Sequence, residues 1–225
     1  MNADFTCPAL AIDTSTSYLS LALSAGGQTR LFHQEAGAKQ SALILPQIQA
    51  LLEAAGIAAA DLGLIVYAQG PGAFTGLRIG AGVAQGLATP FDIPLIGVPC
   101  LDAAAYLRPN RPCVLAATDA RMGEVFYAWF DTQSHRRLSS YRVGRPSEIT
   151  LPAGCTFSDG IGNAFALADK PPFEGCADMP TAADYLALAQ SSRYPAADAA
   201  GAELLYVRDK VALTAKEQAE RKGHA

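Results

Sequence analysis

The stretch from Gly70 to Ala88 reads GPGAFTGLRIGAGVAQGLA and holds six glycines in nineteen residues. Such glycine density is found in loops that bind phosphate through backbone N–H groups. A P-loop also requires a lysine after its last glycine, but no lysine lies between Lys39 and Lys170. The dinucleotide fingerprint G-x-G-x-x-G has no match either, because one extra residue precedes Gly76. The sequence therefore excludes both of these nucleotide loops.

A helix explains the same stretch better. Thr75 is a candidate N-cap for a helix from Gly76 to about Ala88. Every fourth residue on one side of it is small, namely Gly76, Gly80, Ala84 and Ala88. Glycine inside a helix costs about 0.5–1 kcal/mol relative to alanine, so the stripe indicates close approach of another backbone. Two interpretations stay open: packing against the chain's own helix at 42–55, or contact with another chain.

The histidines and cysteines do not form a metal or nucleophile pattern. His33, His135 and His224 are far apart and fall on different predicted elements, so no pair shares one helical face. The five cysteines contain no C-x-x-C pair, which argues against a zinc ribbon or a disulfide framework and favours reduced thiols in the cytoplasm. No serine–histidine–aspartate arrangement can be named from the spacing.

Composition narrows the class of protein further. The chain has 225 residues, half of them apolar, and a net charge of −4. No apolar span of membrane length or secretory signal is evident, which predicts a cytoplasmic protein without a membrane contact. Proteins that bind nucleic acid without a partner protein usually have a positively charged surface. The feature of this sequence most similar to such a surface is a set of arginines on one predicted hairpin. They are Arg136, Arg137, Arg142 and Arg145, and we interpret them as a solvated edge.

The elements follow a pattern that occurs twice. The predicted strands are 10–13, 18–24, 28–34, 64–68, 94–98, 113–118, 124–131 and 137–143, and the further predicted helices are 42–55, 161–168 and 182–192. Aligned on Asp13 and Asp119, ALAIDTSTSYLSLAL lies over VLAATDARMGEVFYAWF. The duplication predicts a two-lobed α/β fold. We place the first lobe at 1–108, a reduced second lobe at 109–207 and a polar tail at 208–225.

These segments carry a resemblance to a known family. LAIDTSTSYLSLAL, ILPQIQALL, YAQGPGAFTGLRIGAGVAQGLA, VLAATDARMGEVFYAWF and LLYVRDKVA occur in the order seen in the bacterial TsaB (YeaZ) proteins. The match is dense over residues 10–131 and thin between about 145 and 200. The resemblance implies the actin-like/sugar-kinase/Hsp70 (ASKHA) fold.

The resemblance also implies a function without catalysis by this chain. TsaB proteins bind and activate TsaD, which with TsaE adds threonylcarbamoyl to adenosine 37 of tRNAs that read codons beginning with A. ATP and a metal ion are expected on TsaD, and no cofactor on this chain. The chain is expected to dimerise when alone and to meet tRNA only within the complex. Because family contacts use helices of the first lobe, the resemblance favours a partner interface for the glycine helix, with the candidate residues Phe74, Gly76, Leu77, Gly80 and Ala84.

Asp13, Thr14 and Ser15 are the candidate cofactor-binding residues. In ATPases of the actin-like fold the first hairpin offers N–H groups and hydroxyls to phosphate, and its aspartate helps to position Mg²⁺. The same residue types also form ordinary hairpin turns, in which Asp and Ser bond their own backbone. A stand-alone ATPase or kinase of this fold is therefore the alternative function. A metallopeptidase of the M22 type is a further alternative, and the lack of a histidine pair counts against it.

Overall fold

The computed structural model describes residues 4–191 and 193–207, which form two β-sheets and their covering helices. The first sheet has the strand order β11-β5-β4-β1-β2-β3. Its strands are β1 (Ala9–Asp13), β2 (Tyr18–Ala25), β3 (Gln28–Glu35), β4 (Leu64–Gly70), β5 (Leu95–Pro99) and β11 (Ala196–Ala197). Strands β1, β4 and β5 run parallel, and the hairpins β1–β2 and β2–β3 are antiparallel. Strands β1 and β4 consist mainly of apolar residues, because both faces of the sheet are covered there.

Helices cover both faces of this sheet. They are α1 (Gln40–Ala55), α2 (Phe74–Ala88), α3 (Cys100–Ala105) and α4 (Ala182–Ala189). On one face, Ile44, Ile48 and Leu52 of α1 form a core with α2 and with β1, β2 and β4. Gly56 ends α1 in the left-handed region at φ 70°, as helix C-termini often do. On the other face, α3 and α4 enclose a second core.

The second sheet repeats the strand arrangement of the first. Its path is β10-β6-β7-β8, with β9 also paired to β7. The strands are β6 (Val114–Arg121), β7 (Glu124–Asp131), β8 (Arg136–Arg137), β9 (Arg142–Gly144) and β10 (Asp159–Ile161). The β6–β7 hairpin is antiparallel and β10 is parallel to β6, just as β1 pairs with β2 and β4. The duplicated two-lobed ASKHA fold with a reduced second lobe is therefore confirmed.

Two predicted elements of the second lobe were wrong. The predicted helix at 161–168 is the end of β10 followed by a short 3-10 helix, Asn163–Ala166. The predicted strand at 137–143 is divided between β8 and β9, with residues 138–141 between them. For the segments 161–168 and 137–143, the apolar pattern is too short to show which secondary structure forms.

Other 3-10 helices lie at Gly37–Lys39, Ala59–Asp61, Thr89–Phe91 and Pro146–Glu148.

Helix α4 lies against the first sheet, although it follows the second sheet in sequence. Ala182 at its start is fully buried, and its N–H donates to Ser20 Oγ on β2 over 2.8 Å. Strand β11 likewise pairs with β5 of the first sheet. A division of the chain at residue 108 stays a prediction. Helix α4 and strand β11, which follow the second sheet in sequence, belong to the first sheet. The predicted tail at 208–225 lies outside the described residues.

Candidate functional site

The first hairpin, predicted to bind a cofactor, lies in the protein interior. Asp13, Thr14 and Ser15 are each 5% exposed or less. The Ser15 N–H donates to Asp13 Oδ1 over 2.8 Å, and Thr14 Oγ1 donates to the Gly76 carbonyl over 2.7 Å. The Ser15 N–H and the Thr14 hydroxyl that could face a phosphate are therefore used within the chain.

The loop between β4 and α2 covers this hairpin. The Ala73 N–H donates to the Ser15 carbonyl over 2.7 Å. A Cβ added to Gly72 would lie 2.7 Å from the Ser15 carbonyl oxygen and 2.9 Å from Ser15 Cβ, so only glycine allows the loop to approach so closely. A phosphate could reach Ser15 only if this loop moved away. The structure thus argues against the predicted cofactor role of Asp13, Thr14 and Ser15.

The electrostatics of the hairpin also disfavour a phosphate. Burial raises the pKa of the Asp13 carboxyl, and the hydrogen bonds from Ser15 offset only part of that effect. Burial likewise raises the pKa of the neighbouring Cys100 thiol to about 12. A site that already disfavours one negative charge is a poor place for a second. Asp13 is better explained as the closing residue of a buried turn.

The hairpin of the second lobe repeats this turn in an exposed form. The Arg121 N–H donates to Asp119 Oδ1 over 2.7 Å, which matches the bond from Ser15 to Asp13. The Arg121 guanidinium pairs with Asp119 at 3.3 Å and is 81% exposed. Arg121 and Met122 both have positive φ, at 65° and 59°. Asp13 and Asp119 therefore share an Asx turn, in which the carboxylate accepts the backbone N–H two residues later.

The predicted glycine stripe of α2 faces the chain's own sheet. Gly76, Leu77, Gly80 and Ala84 are all buried. A Cβ on Gly76 would overlap the Thr14 carbonyl oxygen, and one on Gly80 would overlap Thr14 Oγ1. These four residues were predicted to face a partner, but in this structure they lie buried against the chain itself. The close approach exists, but the approaching backbone is the end of β1 rather than another chain or α1.

The opposite side of α2 is exposed and also rich in glycine. Phe74, Arg78, Gly82 and Gly86 are spaced four apart, and we call them the α2 outer face. An added Cβ on Gly82 or Gly86 would have no neighbour within 4 Å. Phe74 is 39% exposed, and it is the one predicted interface residue that reaches the surface. Sequence reasoning missed Gly82 and Gly86, although they share the fourfold spacing.

One end of the α2 outer face is ordered by aromatic contacts. The Arg78 guanidinium carbon lies 3.6 Å from the centre of the Phe74 ring. Arg78 Nε also donates to the Tyr206 hydroxyl over 3.3 Å, and Tyr206 is 49% exposed. Arginine and aromatic side chains are the types that dominate the energetics of protein interfaces. Arg78 thus lies on the exposed side of α2, away from the stripe of small residues.

The histidines lie apart from one another. His33 stacks on Tyr18 with ring centres 4.7 Å apart, His135 stacks on Tyr106, and His224 lies outside the described residues. Within residues 4–191 and 193–207, no three His, Cys, Asp or Glu side chains are grouped as metal ligands. No helix in that part of the chain has the length and apolar character needed to cross a bilayer.

Comparison with known proteins gives consistent matches. The family model described as TsaD, tRNA N6-adenosine threonylcarbamoyltransferase, matches residues 33–142. The tRNA threonylcarbamoyladenosine biosynthesis protein TsaB of Escherichia coli is 42% identical over 122 residues, or 53% of each chain. TsaB of Haemophilus influenzae is 39% identical over 122 residues, covering 53% of this chain and 52% of the relative. The chain thus aligns with about half the length of these two relatives.

A solved structure matches over a greater length. YeaZ from Pseudomonas aeruginosa superposes with a TM-score of 0.79 at 32% identity. The match covers 89% of this chain and 99% of that protein. The similarity therefore extends through both sheets rather than the first lobe alone.

Proposed function

Because the chain belongs to the TsaB (YeaZ) family, we propose that it supports the formation of threonylcarbamoyladenosine in tRNA by binding and activating a catalytic TsaD-type subunit. In this proposal the chain performs no chemistry of its own. The target is adenosine 37 of tRNAs that read codons beginning with A. The complex forms in the cytoplasm, where TsaE joins it and where tRNA meets the assembled subunits.

The observation that carries this proposal is the α2 outer face. Gly76 and Gly80 are explained by their contact with Thr14, but nothing within the described chain lies against Gly82 or Gly86. Each exposed glycine costs the helix about 0.5–1 kcal/mol relative to alanine. A partner backbone that packs closely on the helix would account for that cost. Phe74 and Arg78 supply an aromatic and cationic anchor at the same face.

The same face also suits a second copy of the chain. A two-fold dimer uses one patch on both subunits, and a helix with exposed glycines can pack closely on its own copy. We infer that the isolated chain dimerises through α2 and that TsaD replaces the second copy. Helix α1 of the same layer also has an exposed apolar side chain, Leu45, which is 55% exposed.

The proposal assigns the chemistry to the partner. ATP and a metal ion would bind TsaD, because the hairpin of this chain is covered by residues 70–73 and its donors are engaged. The burial of Asp13 likewise disfavours the alternative of a stand-alone ATPase. A metallopeptidase gains no support from the described residues, where no metal-ligand group is found.

Reconstitution with the TsaD of the same organism tests the proposal. The experiment measures co-elution on gel filtration and threonylcarbamoyl transfer to tRNA, with and without this chain. We expect a complex and a gain in transfer that neither protein gives alone. ATP hydrolysis by the pure chain, abolished in an Asp13→Ala variant, would support the alternative ATPase. Absence of both complex and activation would refute the proposal.

A further inference from the structure

A cleft lies on the side of the first sheet covered by α3. It has a volume of about 360 Å³, near the lower end of the range for small-molecule sites. Residues from both lobes line it: Pro99 and Asp102 from the first, and Phe130, Arg137 and Tyr141 from the second. The remaining wall residues are Gln69, Tyr106, His135, Arg193, Tyr194 and Leu205. The cleft therefore exists only when distant parts of the chain come together.

Asp102 is the one carboxyl group in the wall, and both of its oxygens are occupied. The Tyr141 hydroxyl donates to Oδ1 over 2.6 Å, and the Tyr194 hydroxyl donates to Oδ2 over 3.0 Å. Burial raises the pKa of this carboxyl, although the two hydroxyl donors and the nearby arginines act in the other direction. Asp102 thus serves to hold two tyrosines in place.

Two guanidinium groups face the same cleft. The Arg137 group lies 4.0 Å from the centre of the Tyr141 ring, and the Arg193 group lies 4.2 Å from that of Tyr106. Arg193 Nη1 also donates to the Tyr106 hydroxyl over 2.5 Å. These contacts fix the side chains on aromatic faces. Arg137, predicted to belong to a solvated edge, is exposed on β8 and also lines this cleft.

Neither arginine forms a direct ion pair in the part of the chain that the structure describes, although the positive charge of both acts on the Asp102 carboxyl. Within the described residues, no Asp or Glu oxygen lies within 4.0 Å of Arg137 or Arg193, whereas Arg108, Arg121 and Arg136 all have such partners. Each guanidinium has five N–H donors. Arg193 directs one to the Ser191 hydroxyl and one to the Tyr106 hydroxyl, which leaves its other donors for a ligand. The cleft therefore combines two positioned cations with the apolar surfaces of Pro99 and Phe130.

We propose that this cleft binds a small ligand with an oxyanion, either carboxylate or phosphate, on an aromatic or apolar body. The oxyanion would accept hydrogen bonds from Arg137 and Arg193, which suit both groups geometrically. The body would lie against Phe130 and Pro99. This site is independent of the docking proposed for the α2 outer face, so either proposal can fail without the other.

The test titrates the full chain with phenyl phosphate, benzoate and inorganic phosphate, by calorimetry and by two-dimensional amide NMR. We expect an aromatic oxyanion to bind more tightly than inorganic phosphate and to shift amide signals around residues 102, 130 and 137. Arg137→Gln and Arg193→Gln should each weaken binding about tenfold, as the loss of a charge-assisted bond does. Arg142→Gln is the matched control, because Arg142 is exposed on β9 and does not line the cleft.

Comparison of the affinities for phenyl phosphate and benzoate shows whether the cleft prefers a phosphate or a carboxylate. Thermal unfolding of each variant shows that the fold is kept. Lack of binding by both aromatic probes would overturn the proposal. Equal weakening in Arg142→Gln would also overturn it, because it would indicate general attraction to positive charge.

Discussion

Glycine residues of α2 serve two different purposes according to the side on which they lie. A methyl group on Gly80 would overlap the Thr14 hydroxyl, so either the helix or that hydrogen-bonded side chain would have to move. Gly82 has open space around its Cα. We therefore expect Gly80→Ala to lower the free energy of unfolding by about 1–3 kcal/mol through overpacking. Gly82→Ala should raise it by about 0.5–1 kcal/mol through helix propensity.

Urea denaturation of the two variants measures these opposite effects, with the wild-type chain as reference. Both variants replace a glycine of α2 by alanine, and they differ only in the side of the helix that receives the methyl group. Equal destabilisation by both substitutions would contradict the assignment of inner and outer faces.

Asp13 gives a pH dependence of known sign. Because burial raises the pKa of this carboxyl in the folded state, the folded protein binds the proton more tightly than the unfolded one. Its contribution to stability is therefore complete below the unfolded pKa and is lost as pH rises through the folded pKa. Asn at this position keeps an oxygen to accept the Ser15 N–H and has no charge to bury.

We expect Asp13→Asn to be more stable than the wild-type chain at about pH 8, with a smaller difference at about pH 5. Unfolding by urea at the two pH values measures it. A variant that is less stable than wild type at the higher pH would show that the carboxylate is stabilised by its surroundings after all.

At the scale of elements, α4 depends on a contact with the first sheet. Ser20 is fully buried on β2, and its Oγ accepts the N–H at the start of α4. Ser20→Ala would leave that buried N–H without its acceptor. We expect a loss of about 1–3 kcal/mol in the free energy of unfolding. Amide hydrogen exchange should quicken first in residues 182–189, and unchanged exchange there would contradict the role given to Ser20.

Elements of the first lobe could be predicted because their signals are local. The helix predicted at Gly76–Ala88 begins two residues earlier, at Phe74, and ends where expected. The side of α2 that faces the sheet could not be predicted, since small residues occur on both sides. The larger apolar side chains of the helix, Ile79, Val83 and Leu87, are only partly buried. The inward residues are the small ones, because β1 approaches the helix backbone.

Contacts between residues that are distant in the sequence could not be predicted. Ser20 and Ala182 are separated by 162 positions, and Asp102 and Tyr194 by 92. No periodicity connects residues at such distances. The four arginines near residue 140 looked alike in sequence, and only the folded chain separates Arg137, which lies in the cleft, from Arg142, which does not.

At the scale of the whole molecule, charge limits what the chain can bind alone. Its net charge is −4, and tRNA binding depends mainly on the release of counterions by a basic surface. We expect the isolated chain to bind tRNA more weakly than about 100 μM at physiological salt, as measured by filter binding or fluorescence anisotropy. A micromolar complex with a steep dependence on salt would contradict this expectation.

The central claim is that a catalytic subunit docks on the α2 outer face. Its most direct test is the affinity of Gly82→Leu and Gly86→Leu for the TsaD of the same organism, measured on a surface sensor. Ser147→Leu is the control, because it adds the same side chain at an exposed position of the second lobe. We predict folded variants whose affinity falls at least about tenfold, chiefly through faster dissociation, with the control unchanged. Wild-type affinity in both folded glycine variants would place the docking surface elsewhere and contradict the claim.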